Sequence, residues 1–202
     1  GNINKLSIMK KILLSIILLW AVTTNAFSVI ENKAGEVIGQ MGTTFNERNG
    51  KTEKVEKGYI ITMNDFLQTG EDGGMILHYV DNTKFTMGPG TELIIDEFAF
   101  DTSKVPIIVA MATTVNVGTF TYESGQISNL GGSVEINTAS ATITVQGTAF
   151  SGTVTPTGHT TITLLPDSRG AVGQVTVANE AGATTITAAY SSVTVLSDSL
   201  AP

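Results

Sequence analysis

From Ser28 onward, apolar residues recur at every second position in short runs bounded by Gly, Asn or Pro. No stretch carries the three-to-four spacing and the caps of an amphipathic helix. The alternation predicts strands over Glu36 to Gln40, Thr43 to Asn46, Tyr59 to Ile61, Met75 to Tyr79, Lys84 to Met87 and Glu92 to Phe98. Asn49-Gly50, Gly70 to Gly74 and Gly88-Pro89-Gly90 separate them, residues that supply the positive or fixed φ of tight turns. A second series follows at Gly118 to Glu123, Ser133 to Asn137, Ala141 to Gln146, Thr160 to Leu165, Gln174 to Ala178, Ala183 to Ala188 and Ser192 to Val195. Between the two series, Val105 to Val117 fits either a buried strand or a short helix, and the charged residues thin out around Asp101 to Pro106, a soft boundary. The fold class expected is all-β, with short, antiparallel-rich strands about ten residues apart in a sandwich or β-solenoid-like arrangement.

Composition sharpens this picture. Hydrophobic residues make up 42% of the 202, enough for one core, but only 14% are charged. Thr, Ser and Gly therefore fill most of the solvent-facing positions, as suits pleated surfaces and turns. Surfaces so rich in Thr and so poor in Lys do little to blunt strand edges, which leaves self-association or edge pairing with a partner open. With no cysteine, disulfides, thiolate catalysis and cysteine-type zinc sites are excluded.

Lys10-Lys11, an apolar run from Ile12 to Val22 and the small-x-small pattern Thr24-Asn25-Ala26 have the layout of a signal peptide cut after Ala26. An uncleaved anchor is the alternative, disfavoured because the run is short for a bilayer. Met9 stands where such a leader would begin, so Gly1 to Ile8 read as additional residues. Without the leader, 8 basic residues face 18 acidic ones, a net charge of −10, and Arg169 is the sole basic residue after Lys104. Phosphate backbones need clustered Lys and Arg, so nucleic acid is not an expected partner.

Two ordered stretches carry a family resemblance. The first comprises Gly58, Asn64-Asp65, Thr69-Gly70, Met75 to Tyr79, Asp81-Asn82-Thr83, Phe85 to Gly90 and Thr91-Glu92-Leu93. The second comprises Gly118-Thr119-Phe120-Thr121-Tyr122-Glu123-Ser124-Gly125, Val134 to Thr138 and Ala141 to Phe150, including Gly147-Thr148. Together, over about residues 36 to 155, they resemble the FecR domain family, named for the periplasmic regulator of iron-citrate uptake. Gln146, Ala139 and Asn82 depart from it, standing where the family usually has Arg, Pro and Gly. The resemblance implies an exported all-β domain used in signalling or protein interaction, with Asp65, Thr69, Gly70, Asp81, Gly88, Pro89, Gly118, Gly125, Gly147 and Thr148 as its motif positions. It divides the chain into leader (1 to 26), FecR-like domain (27 to 155) and a C-terminal β-rich extension (156 to 202) that either completes that domain or stands apart. The stretch before Met9 is too short for the cytoplasmic segment of a FecR-type transmembrane regulator, so a stand-alone exported domain is expected.

Candidate chemistry is sparse. The histidines are His78, in an alternating strand, and His159, in a turn. Ser151, His159 and Asp167 can be named as a triad, but no Gly-x-Ser-x-Gly elbow supports it, and both histidines read more simply as surface or strand residues. No cofactor is expected. Calcium is the alternative left open by the hard oxygen ligands Glu71, Asp72, Asp81, Asp96, Glu97 and Asp101, whose spacing matches neither an EF-hand nor a glycine-aspartate repeat. The expectation is a non-catalytic binding or sensing module, periplasmic, secreted or on the cell surface, that engages protein or envelope polymer. The competing expectation is a self-associating structural β-protein of a filament, adhesin or virion fibre.

Overall fold

Alternation of apolar with hydroxyl side chains resolves, in the computed structural model, into sixteen strands and one helical turn among the described residues, 33–202. The predicted leader lies outside the described residues. In chain order the elements are β1 (Lys33–Met41), β2 (Thr44–Arg48), β3 (Lys51–Lys54), β4 (Ile60–Thr62), β5 (Phe66–Thr69), β6 (Gly74–Tyr79), β7 (Lys84–Met87), β8 (Glu92–Asp101) and β9 (Ile108–Glu123). There follow α1 (Gln126–Asn129), β10 (Ser133–Asn137), β11 (Thr142–Gln146), β12 (Ala149–Val154), β13 (Thr160–Leu165), β14 (Gln174–Asn179), β15 (Gly182–Ile186) and β16 (Ser192–Val195).

The strands form two layers joined by one shared strand. One layer runs β4-β1-β6-β7-β9-β12-β13-β16 and the other β3-β2-β5-β8-β9-β10-β11-β14-β15. Every pairing is antiparallel except β9–β10, which needs a crossover, and α1 lies in that connection. Strand order within each layer nearly follows chain order. The chain therefore advances along one axis while alternating between layers, two-layered like a sandwich and progressive like a solenoid. Among the described residues the sheet is not closed into a barrel: β4 and β16 are edges of one layer, β3 and β15 of the other.

β9 belongs to both layers because its phase changes midway. Met111, Thr113 and Val115 point inward in its first half, whereas Phe120 and Tyr122 do so in its second. A strict period of two cannot satisfy both, so one residue must be absorbed between them. A bulge opposite Glu92 and Leu93 absorbs it, next to Gly118 at φ +116°, where a side chain would also strike Thr91.

Both layers contribute to a single core. Phe85 stacks on Phe120 at 5.0 Å, and Phe150 packs against Phe120 and Tyr122 at 5.7 and 5.3 Å. Each such pair contributes about 0.5–1.5 kcal/mol beyond the area it buries. Tyr79 of β6 meets Phe98 of β8 at 5.3 Å, a contact from one layer to the other.

This arrangement decides between readings that the sequence leaves open, and it adds strands that the alternation does not predict. The ambiguous segment is the opening of β9, from Ile108. The compositional shift at Asp101 to Pro106 marks the tip of the β8–β9 hairpin, whose strands remain paired as far as Asp101 and Ile108. Strands β3, β5 and β12 were not expected: β3 is almost wholly polar, β5 is four residues long, and Gly152 interrupts the pattern of β12. Residues 156 to 202 extend both layers, β13 and β16 on one side, β14 and β15 on the other.

Candidate functional site

Most of the motif positions lie in turns and hold those turns together; Thr69 ends β5 and Gly118 lies within β9. Asp65, between β4 and β5, is fully buried. Its carboxylate accepts the Thr62 N–H at 2.9 Å and two bonds of 2.7 Å from Arg48 Nε and Nη2. Arg48 also donates to the Ile60 carbonyl at 2.9 Å and lies 5.3 Å from the centre of the Tyr59 ring. The bonds to Asp65 raise the guanidinium pKa against the opposing effect of burial.

A threonine relay follows. Thr69 Oγ1 donates to the Gly88 carbonyl at 2.6 Å and accepts the Thr91 N–H at 2.9 Å. Thr91 Oγ1 in turn donates to the Thr119 carbonyl and accepts the Thr119 N–H, both at 3.0 Å. This relay fastens the Gly88-Pro89-Gly90 turn to the bend of β9 beside Gly118. Gly70 donates its N–H to Thr43 and accepts from Gly73 and Gly90.

The remaining motif positions grip the segment between β9 and β10 from two sides. Asp81 accepts the Thr83 N–H and hydroxyl and the Ile127 N–H, while its carbonyl accepts the Gln126 N–H. Gly125 passes so close to Asp81 and Thr83 that a Cβ would run into their backbone. On the other side, the Gly147 N–H donates to Ser128 Oγ at 2.8 Å and the Thr148 N–H to Ser124 Oγ at 3.2 Å. Thr148 Oγ1 donates to the Leu165 carbonyl at 2.9 Å.

The segment so held forms one wall of a polar cavity of about 380 Å³, open to solvent. The other walls come from β6, β7, the end of β9 and the β13–β14 loop. His78, Lys84 and Glu123 sit in register across β6, β7 and β9. Asn82, Gln126 and Asn129 line it from the turns, and Asp167, Ser168 and Arg169 close the far side. Glu123 Oε1 accepts the Ser168 N–H at 2.9 Å. The bond to Ser168 and the nearby Lys84 charge hold the Glu123 carboxyl below its ordinary range, although burial works the other way. Asp167 is lowered too, by Arg169 first and then by the backbone N–H of Ala171.

A second depression, of about 360 Å³, crosses β1, β6 and β7. Its surface is apolar, from Met41, Ile76, Met87 and Pro89, with Glu71 and Asp72 at the rim.

The named triad is not assembled. His159 precedes β13 and Asp167 follows it, so six extended residues, roughly 20 Å, separate them. The acidic candidates are equally dispersed. Asp81 is occupied by Thr83 and Ile127, Asp101 by Ser103, and Asp96 by Thr114. Among the described residues no three His, Asp or Glu side chains converge as a metal site. Burial pushes the Tyr122 phenol up to about 12 and raises that of Tyr79 as well, so both stay protonated in the core.

Sequence reasoning named Asp65 but not its partner Arg48, and it singled out neither Lys84 nor Glu123. Register across β6, β7 and β9 brings these residues together, and no local spacing announces it. Arg169 did leave a signal, as the lone cation of the second half. In comparisons with known proteins, no family model, no curated protein and no solved structure matches the chain.

Proposed function

We propose that the chain is an exported, FecR-like binding module that engages protein or envelope polymer and performs no chemistry of its own. The polar cavity carries this reading. One of its walls is the segment fixed by the motif positions, and the side-chain donors of Lys84, Asn82 and Gln126 remain uncommitted to the fold. The leader layout, Lys10-Lys11 followed by Ile12 to Val22 and Thr24-Asn25-Ala26, supports export to the periplasm or beyond. The test is retention of the purified chain on washed envelope fractions, followed by rebinding to each retained species in pure form. No retention on any fraction, across several growth conditions, would sink the proposal.

One observation favours the structural alternative. The outer strand β3 carries Lys51, Glu53 and Lys54, charges that deter edge pairing, whereas the outer strand β16, Ser192-Val193-Thr194-Val195, carries none. Sedimentation separates the readings, since a strict monomer at high concentration is incompatible with a self-assembling element.

A further inference from the structure

We infer that the polar cavity binds a carboxylated sugar, a uronic-acid unit, with its carboxylate on Lys84 and Arg169. The inference rests on the binding-module reading and names its ligand. It follows from a count of which polar atoms the fold already uses. Asp167 is saturated: Oδ1 accepts the N–H groups of Arg169 and Ala171 at 2.9 and 2.8 Å, and Oδ2 accepts Arg169 Nε and Nη2 at 3.2 and 2.9 Å. One oxygen of Glu123 is taken by Ser168. With its carboxylates so engaged, the cavity is a poor host for a cation.

Its donors are largely free. Among the described residues, Lys84 makes no ion pair, and no intramolecular hydrogen bond uses the side chains of Lys84, Asn82 or Gln126. Arg169 bonds Asp167 through Nε and Nη2, which leaves Nη1 without an intramolecular partner among the described residues on a largely exposed side chain. A chain of net charge −7 thus places one unpaired lysine and the only cation beyond Lys104 on the rim of the same cavity. A group that accepts hydrogen bonds and carries negative charge fits those donors.

The remaining wall chemistry decides which anion. Two carboxylates beside the cations disfavour a dianion such as phosphate, by like-charge repulsion. The free oxygen of Glu123 accepts hydroxyl protons, and the amides of Asn82 and Gln126 both donate and accept. A single carboxylate on a body rich in hydroxyls satisfies all of these at once. The volume, about 380 Å³, lies at the small end of the ~300–1,000 Å³ typical of ligand sites, room for a sugar unit with its neighbours in solvent.

The experiment is calorimetric or NMR titration of the purified chain at low ionic strength with galacturonate, a short oligogalacturonate, glucose and inorganic phosphate. Saturable binding of galacturonate, with glucose roughly tenfold weaker or worse, is the expected result. Tighter binding of the oligomer assigns the site to a polymer, and equal binding per unit assigns it to the free sugar. Lys84→Ala weakens galacturonate by roughly tenfold with an unchanged melting temperature, Arg169→Gln weakens it by roughly tenfold as well, and Lys51→Ala on β3 leaves binding intact. Absent galacturonate binding, equal binding of glucose, tighter binding of phosphate, or full affinity in Lys84→Ala overturns the inference. If the chain then still holds envelope material, the binding-module reading survives alone. If it holds neither, both readings fall.

Discussion

Removing the guanidinium of Arg48 probes how the first turns are held. Asp65 is fully buried, and Arg48 supplies two of its bonds at 2.7 Å, one of them bidentate partner to the other, while also donating to the Ile60 carbonyl. Breaking a wholly buried pair by deleting one partner costs about 3–5 kcal/mol, since an uncompensated charge remains. The Arg48 side chain is 30% exposed, so water reaches part of the vacated space and the cost falls to about 2–3 kcal/mol for Arg48→Ala. For a chain of this size that lowers the melting temperature by roughly 5–10 °C. Asp65→Asn keeps an acceptor for the Thr62 N–H but removes the charge that makes Arg48 necessary. The double variant should therefore be less destabilised than the sum of the singles, with a coupling of about 1–2 kcal/mol by urea or thermal unfolding followed by circular dichroism. Additivity to within about 0.5 kcal/mol would refute the reasoning, for it would mean that the two residues act on stability through separate contacts.

Asp81→Ala leaves the buried N–H groups of Thr83 and Ile127 without acceptors, a loss of roughly 2–4 kcal/mol, and hydrogen exchange at Ile127 should accelerate more than exchange in β1. Gly152→Ala drives a methyl group into the Phe120 ring, and overpacking of this kind lowers stability by about 1–3 kcal/mol in denaturant unfolding. Because the folded-state pKa of Asp167 is depressed below 3.8, its contribution is present above that value and fades as pH falls through the lower folded value. The stability gap between the natural chain and Asp167→Asn should accordingly shrink between pH ~6 and pH ~2.5, and a gap that widens on acidification contradicts the assignment.

The fold class was legible because hydroxyl–apolar alternation has a single structural reading at this density of turn residues. Lys84 to Met87, Ser133 to Asn137, Thr160 to Leu165 and Ser192 to Val195 are strands with the bounds that alternation predicts. The strand over Lys51 to Lys54 was illegible for a physical reason: an outermost strand buries little, so its side chains follow solvent and not a core. The shared role of β9 was hidden in the same way. Its phase change reads in sequence as irregularity, and only pairing with β8 on one half and β12 on the other gives that irregularity meaning. The motif positions could be found as turn chemistry, but the grip that Asp81, Gly147 and Thr148 exert on Ser124 to Asn129 depends on contacts between residues 19 to 46 positions apart. The cavity depends on longer-range assembly still, since β6, β7, β9 and the loop after β13 meet only in three dimensions.

The shared strand also determines how this molecule can come apart. Since β9 is hydrogen-bonded to β8 and β10 along its first half and to β7 and β12 along its second, no layer can be peeled away without exposing the other. Progressive β-folds often fray one rung at a time, their stability a sum of neighbouring terms. Here such fraying can start at the β15 and β16 end but stops at a strand that locks four neighbours in two planes. Its central amides should therefore exchange only through global opening. A protease would then trim the molecule from its C-terminal rungs and halt at β12, leaving a resistant fragment in which the strand that both layers own keeps all four of its neighbours.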